Sequence, residues 1–78
     1  MHYVYNLRCE DNSIYTGCTN NLNDRLKRHN KGQVQSTKDR LPVELMCYTA
    51  FKSKCKAFEF EKYLKSGSGR AFVNKHFA

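Results

Sequence analysis

With 78 residues the chain has room for one domain, and a chain of that length buries only about 60% of its unfolded surface, so its core is small. Fourteen Lys and Arg against seven Asp and Glu give a formal net charge of +7, a field that attracts polyanions, of which nucleic acid is the commonest in a cytoplasm. No apolar run approaches the roughly 20 residues of a membrane helix, and the N-terminal MHYVYNLRCED lacks the basic start, apolar middle and cleavage site of a signal peptide, so a cytoplasmic protein with no membrane partner is expected. Without a secretory signal, Cys9, Cys18, Cys47 and Cys55 are expected to be reduced thiols. No C-x-x-C pair occurs and the histidines complete no usual spacing, so no zinc is expected.

Residues 2–8 (HYVYNLR) and 13–18 (SIYTGC) are rich in β-branched and aromatic residues, and the EDNS between them supplies turn formers, which predicts a β-hairpin. Side chains alternate faces along a strand, so the length of the loop decides what the hairpin displays. An odd loop places Tyr3, Tyr5 and Leu7 on the face of Tyr15 and Gly17; an even loop separates the two tyrosines. Thr19 or Asn20 is then expected to cap a helix running to about Asn30, with Gly32 as its stop. Leu22 and Leu26 form its narrow apolar stripe, Arg25 and His29 fall beside that stripe, and Asp24 and Lys27 point away. Residues 31–42, KGQVQSTKDRLP, have no clear periodicity and predict a loop or a short helical turn.

VELMCYTAF, 43–51, predicts a third strand, largely buried. Ser53 can open a second helix through about Lys65, with Ala57, Phe60 and Leu64 as its apolar stripe and Phe58 on the outside. On that wheel Glu61 lies about 40° from Ala57, whereas Glu59 lies near the opposite side. Gly67 and Gly69 end the helix, and a last short helix over about Arg70–His76 would dock Phe72 and Phe77. The order β-β-α-β-α-α predicts an α/β fold of the α+β type, in which helices flank a small central three-stranded, mainly antiparallel sheet, with one domain over residues 1–78.

The polar residues held near buried faces are Tyr5, Tyr15, Arg25, His29 and Glu61. Arginine offers a rigid fork that matches phosphate oxygens. One carboxylate can hold a magnesium ion that keeps most of its waters, and tyrosine and histidine can accept or donate a proton. Each residue also has a plain structural role open to it. The tyrosines could be cross-strand aromatics, Arg25 and Glu61 an ion pair between helices, and His29 a partner for the helix dipole.

Read in order, YVY at 3–5, YTG at 15–17, TNNLNDRLKRHNKG, STKDRLPVEL and KAFEFEKYLKSGSGRAF resemble the GIY-YIG nuclease superfamily over roughly residues 3–75. The likeness is to its small stand-alone bacterial members, which are similar to the nuclease half of an excision-repair subunit and to some homing and restriction endonucleases. The first motif departs from the pattern, with Tyr3 in place of its glycine and Val4 in place of its isoleucine. What the resemblance implies is a Mg²⁺- or Mn²⁺-dependent endonuclease acting on DNA, with RNA left open, in repair or recombination. Tyr5 and Tyr15 would be the two motif tyrosines at the scissile phosphate, Arg25 would bind that phosphate, and His29 would support proton transfer. Glu61, in the A-x-x-x-E-x-x-x-K pattern from Ala57 to Lys65, would be the sole protein ligand of one ion. Gly17 would keep the phosphate approach clear, and Asn74 is the nearest match to an asparagine that follows the metal-binding glutamate. Lys38, Arg40, Lys65 and Arg70 are the expected contacts to nucleic acid. Larger relatives append a DNA-binding domain, so low intrinsic sequence specificity is expected here, with a protein partner a possible source of specificity. The alternatives are a silent nucleic-acid-binding module and a subunit that cuts only with a partner. If the nuclease site exists, the tyrosines must share a face and the hairpin loop must be odd.

Overall fold

Alternating aromatic and branched residues form β1 (His2–Arg8) and β2 (Ile14–Thr19), paired antiparallel in a computed structural model that describes residues 1–67, 69, 71 and 75. The connection, residues 9–13, is odd in length. It closes through Cys9 N–H to Ser13 O and Asn12 N–H to Cys9 O, both 2.9 Å. Asn12 takes the left-handed conformation (φ 67°), which an asparagine side chain tolerates better than most. The resulting register sets Tyr3 against Thr19, Tyr5 against Gly17 and Leu7 against Tyr15. Residues directly opposite point to the same side, so the two tyrosines share a face, as an odd loop requires.

The third strand, β3 (Glu44–Phe51), pairs antiparallel with β1, giving the sheet order β2-β1-β3. It was expected to be largely buried and is not: none of its residues is buried, and Glu44, Tyr48, Thr49 and Ala50 are exposed. The reason is topological. The central place in the sheet goes to β1, and β3 becomes an edge whose apolar composition does not determine its burial. Its register slips between Asn6 and Leu7, which face Cys47 and Leu45 and leave Met46 as the extra residue of a bulge. Inside the sheet, buried Asn6 crosslinks all three strands. Its Oδ1 accepts from Thr16 Oγ1 at 2.7 Å and its Nδ2 donates to Cys47 Sγ at 3.3 Å.

Helices α1 (Leu22–Asn30) and α2 (Lys54–Lys65) cover opposite faces of the sheet. Helix α1 lays Leu22 and Leu26 over Tyr5, Leu7, Cys9 and Val43, with Tyr15, Leu41 and Leu45 at the margin. Helix α2 packs Ala57 and Leu64 against Val4, flanked by Ile14, Cys18, Phe51 and Phe60, and leaves Phe58 exposed. Full burial of Val4, Leu7 and Leu64 contributes roughly 1.5–3 kcal/mol each, which makes these few residues the main hydrophobic tie between layers.

The cap of α1 is Asn21, not Thr19 or Asn20, because Thr19 still belongs to β2 as the partner of Tyr3. Thr19 Oγ1 accepts the Asn21 N–H at 3.1 Å, and Asn21 Oδ1 then accepts the Asp24 N–H at 3.1 Å. Gly32 ends the helix as expected, with φ 73° and its N–H on His29 O at 3.0 Å. Ser53 caps α2 through its Oγ, which accepts the Lys56 N–H at 3.3 Å. Residues 31–43 form turns rather than a regular element.

The last helix expected over Arg70–His76, with Phe72 and Phe77, lies largely outside the described residues. Cys9 is buried, Cys18 and Cys47 are partly buried and Cys55 is exposed, all as free thiols. Among the described residues, no helix is long and apolar enough to cross a membrane.

Candidate functional site

Glycine at position 17 is what admits Tyr5 to the site. A Cβ there would lie 2.5 Å from the Tyr5 hydroxyl, 2.6 Å from its Cζ and 2.9 Å from Tyr15 Cε2. The bare backbone of β2 therefore lets the Tyr5 ring lie across it. This sharpens the expectation for Gly17: the group a side chain would crowd is the phenol of Tyr5.

Beneath the surface, Tyr5 Oη lies 2.8 Å from His29 Nε2, and His29 Nδ1 lies 2.7 Å from Thr37 Oγ1. All three residues are fully buried. Burial pushes the Tyr5 phenol well above its ordinary value, with the Tyr15 phenol adding to the rise and Arg25 opposing it. Burial, followed by the charges of Arg25 and Arg28, pushes His29 down. At neutral pH the pair is thus a protonated phenol and a neutral imidazole. That ring has one N–H and one lone pair to divide between Tyr5 and Thr37, so its tautomer fixes which hydroxyl donates and which accepts.

Tyr15 stands in front of this buried line. Its ring centroid is 6.3 Å from that of Tyr5 and 5.2 Å from that of His29, which it meets edge to face. Only half-buried, it is the more accessible of the two tyrosines. From the other side of the sheet α2 brings Lys65, whose Nζ is 5.9 Å from the Tyr15 ring centroid and 3.1 Å from Glu61 Oε2. Glu61 is partly exposed, and its charge acts with that of Arg25 on both Tyr5 and Cys18. β1, β2, α1 and α2 therefore bring Tyr5, Tyr15, Arg25, His29, Glu61 and Lys65 together around the β2 edge. The ion pair that Glu61 makes is with Lys65, one turn along its own helix.

Among the remaining candidates, Lys38 is exposed on the turn segment. Arg40 is a brace within the fold: Nη1 donates to Ser13 Oγ and Nη2 to Ser36 O, both at 2.6 Å, tying the turn segment to the hairpin loop. Arg70 and Asn74 lie outside the described residues. Thr37 escaped the sequence reading because the 31–42 stretch has no periodicity to mark an inward side chain. The one available signal was His29 beside an apolar stripe, which needs a partner for each ring nitrogen if it is buried. Among the described residues, no three His, Cys, Asp or Glu are grouped to hold a metal.

This arrangement sits on a chain whose residues 1–75 match the GIY-YIG catalytic domain family model, and the chain belongs to that family of nuclease domains. Within it, the chain is 47% identical over 66 residues to the UPF0213 protein CPE1444 of Clostridium perfringens, covering 83% of this chain and 71% of that protein. It is 44% identical over 68 residues to the UPF0213 protein SH2523 of Staphylococcus haemolyticus, covering 86% and 83%. The solution NMR structure of the UPF0213 protein BH0048 from Bacillus halodurans is similar at a TM-score of 0.61 and 36% identity, over 95% of this chain and 82% of that one.

Proposed function

We propose that the domain, taken as one unit over residues 1–78, is a divalent-metal-dependent endonuclease that hydrolyses phosphodiester bonds in DNA with low intrinsic sequence specificity. A cytoplasmic role in repair or recombination suits that activity. The observation that carries this is the meeting at the β2 edge of a phosphate-matching cation, a partly exposed carboxylate and a pair of tyrosine rings.

The donor set fits a hydrated magnesium or manganese ion. Such an ion needs one or two carboxylates and takes its other ligands from water and substrate phosphate. Among the described residues Glu61 is held only by the half-exposed Lys65, a pair worth roughly 0–1 kcal/mol, which leaves its oxygens available to a competing cation. When bound, the ion supplies Lewis-acid stabilisation of phosphoryl oxygens.

The protein's own groups do the rest. Arg25 presents its guanidinium to the phosphate oxygens and stabilises the charge that builds there. Tyr15, at the accessible front, positions the phosphate by hydrogen bonding. Behind it Tyr5 gives its proton to His29 Nε2 as its oxygen takes one from the attacking water, with Thr37 accepting the Nδ1–H so that Nε2 keeps its lone pair toward the phenol. Burial raises the phenol and lowers the imidazole, so this transfer is uphill at rest. No standing phenolate exists on Tyr5, and its proton moves only as attack on phosphorus proceeds. Lys65, Lys38 and Arg70 contact the backbone of the strand, and Asn74 supports the site.

The test is nicking of supercoiled, branched and single-stranded DNA with Mg²⁺ or Mn²⁺. Glu61→Ala and Arg25→Ala are each expected to lose roughly 10²–10³ in rate, as for removal of one transition-state contact. Undiminished nicking by Glu61→Ala would sink the metal site. Tight binding without cutting of any substrate would instead identify a silent module.

A further inference from the structure

A second feature opens on the same face of the sheet. Tyr48 faces Tyr5 across β3 and β1, and Tyr3 faces Thr19, so both tyrosines point to the side that carries Tyr15 and Gly17. With Asn20, Asn21, Leu22 and Asn23 at the start of α1, they line a pocket of about 270 Å³. That volume is at the small end for ligand sites, which typically run ~300–1,000 Å³, and suits a single planar group. Tyr48 is 54% exposed, and Tyr3 meets it edge to face with ring centroids 5.9 Å apart.

The lining selects its ligand by what it contains. None of the six residues is charged, so no side chain of the pocket can form an ion pair with a phosphate. An apolar side chain from another protein would cover the amides of Asn20 and Asn23 without satisfying them, which costs binding. Aromatic faces beside amides that carry both donors and acceptors match a nucleobase, which has a π-face and a mixed hydrogen-bonding edge. Asn21 Oδ1 is engaged by the Asp24 N–H, whereas Asn20 and Asn23 are exposed. Asn21 lies four residues before Arg25 and so shares its side of the helix start.

We propose that this pocket binds one unpaired nucleobase of the strand whose phosphate reaches Arg25, the base stacking on Tyr48 and its edge meeting Asn20 and Asn23. This rests on the nuclease reading of the neighbouring site and adds a substrate preference to it. A base inside a duplex cannot enter such a pocket without unstacking, so the preferred substrates carry bulged, flipped or single-stranded nucleotides.

The test is binding in EDTA, where cutting does not intervene. A short duplex carries one extrahelical 2-aminopurine, and the reference duplex has an abasic residue at that point. Wild-type protein is expected to quench 2-aminopurine fluorescence and to bind the bulged duplex more tightly than the abasic one. Tyr48→Ala and Tyr48→Leu are expected to reduce that preference by roughly 5- to 150-fold, the loss of one stacked base, while Tyr48→Phe and the surface control Phe58→Ala retain it. Equal wild-type affinity for the two duplexes, or a preference untouched by Tyr48→Ala, overturns the pocket, as does a shift of Tyr48→Ala from self-associated to monomeric protein with no change in the preference. The readout uses no metal and no cleavage. A failed pocket therefore leaves nicking activity intact, and a domain that never nicks DNA can still show the base preference.

Discussion

A methyl group at position 17 would meet the buried end of Tyr5, and that ring has no free direction in which to retreat. Tyr5 is fully enclosed, its hydroxyl is engaged by His29, and Tyr15 Cε2 closes the other side at 2.9 Å from the added carbon. Gly17→Ala would ordinarily gain a little from reduced backbone freedom in the unfolded chain. Here overpacking outweighs that gain, and a net loss of about 1–3 kcal/mol is expected in urea denaturation. The variant should also lose nuclease activity, because the phenol can clear the new methyl only by leaving His29 Nε2. Wild-type stability together with wild-type activity would show that the ring has room and that glycine is not required by Tyr5.

At the scale of elements, the buried line from Tyr5 through His29 to Thr37 joins β1, α1 and the turn segment. Leu22 and Leu26 are only partly buried, so the polar line carries much of the attachment of α1 to the sheet. Its dependence on pH has a definite sign. The folded state holds His29 below its ordinary 6.5, through burial and the nearby Arg25 and Arg28, so the unfolded chain binds the proton more readily. Stability from the neutral ring is complete above about pH 6.5 and is lost as pH falls from there through the lower folded value. Denaturation at pH 7.5 and pH 5 should show that loss in wild type and a shallower dependence in His29→Gln; parallel curves would remove His29 as its source. Much of this scale could be read in advance, because strand and helix boundaries follow alternation, capping chemistry and Gly32. The hairpin could be read only up to parity, since alternation gives a strand two faces without saying which loop length joins them. The exposure of β3 was illegible because an apolar run does not reveal whether its strand is central or at an edge. Thr37 was illegible for a related reason: only the tertiary path of an aperiodic segment brings its hydroxyl to a histidine eight residues earlier.

Over the whole molecule, the excess of +7 does not act as a uniform coat. Arg40 is engaged within the fold and Lys65 is drawn to Glu61 and the Tyr15 ring, so part of the charge is already placed. Two kinds of contact to a nucleic acid are then separable by salt. Phosphate contacts release counterions, giving a slope of log affinity against log salt of roughly −0.9 per contact on duplex and −0.7 on single strands. Stacking on Tyr48 releases none. Anisotropy titrations from about 50 to 200 mM salt should therefore show Lys65→Ala making the slope shallower by roughly one contact. Tyr48→Ala should lower affinity for an unpaired base by a similar factor at every salt concentration and leave the slope unchanged. If Lys65→Ala leaves the slope unaltered, Lys65 serves Glu61 and Tyr15 alone. If Tyr48→Ala changes the slope, the pocket is reading phosphate rather than base, against the uncharged lining on which its assignment depends.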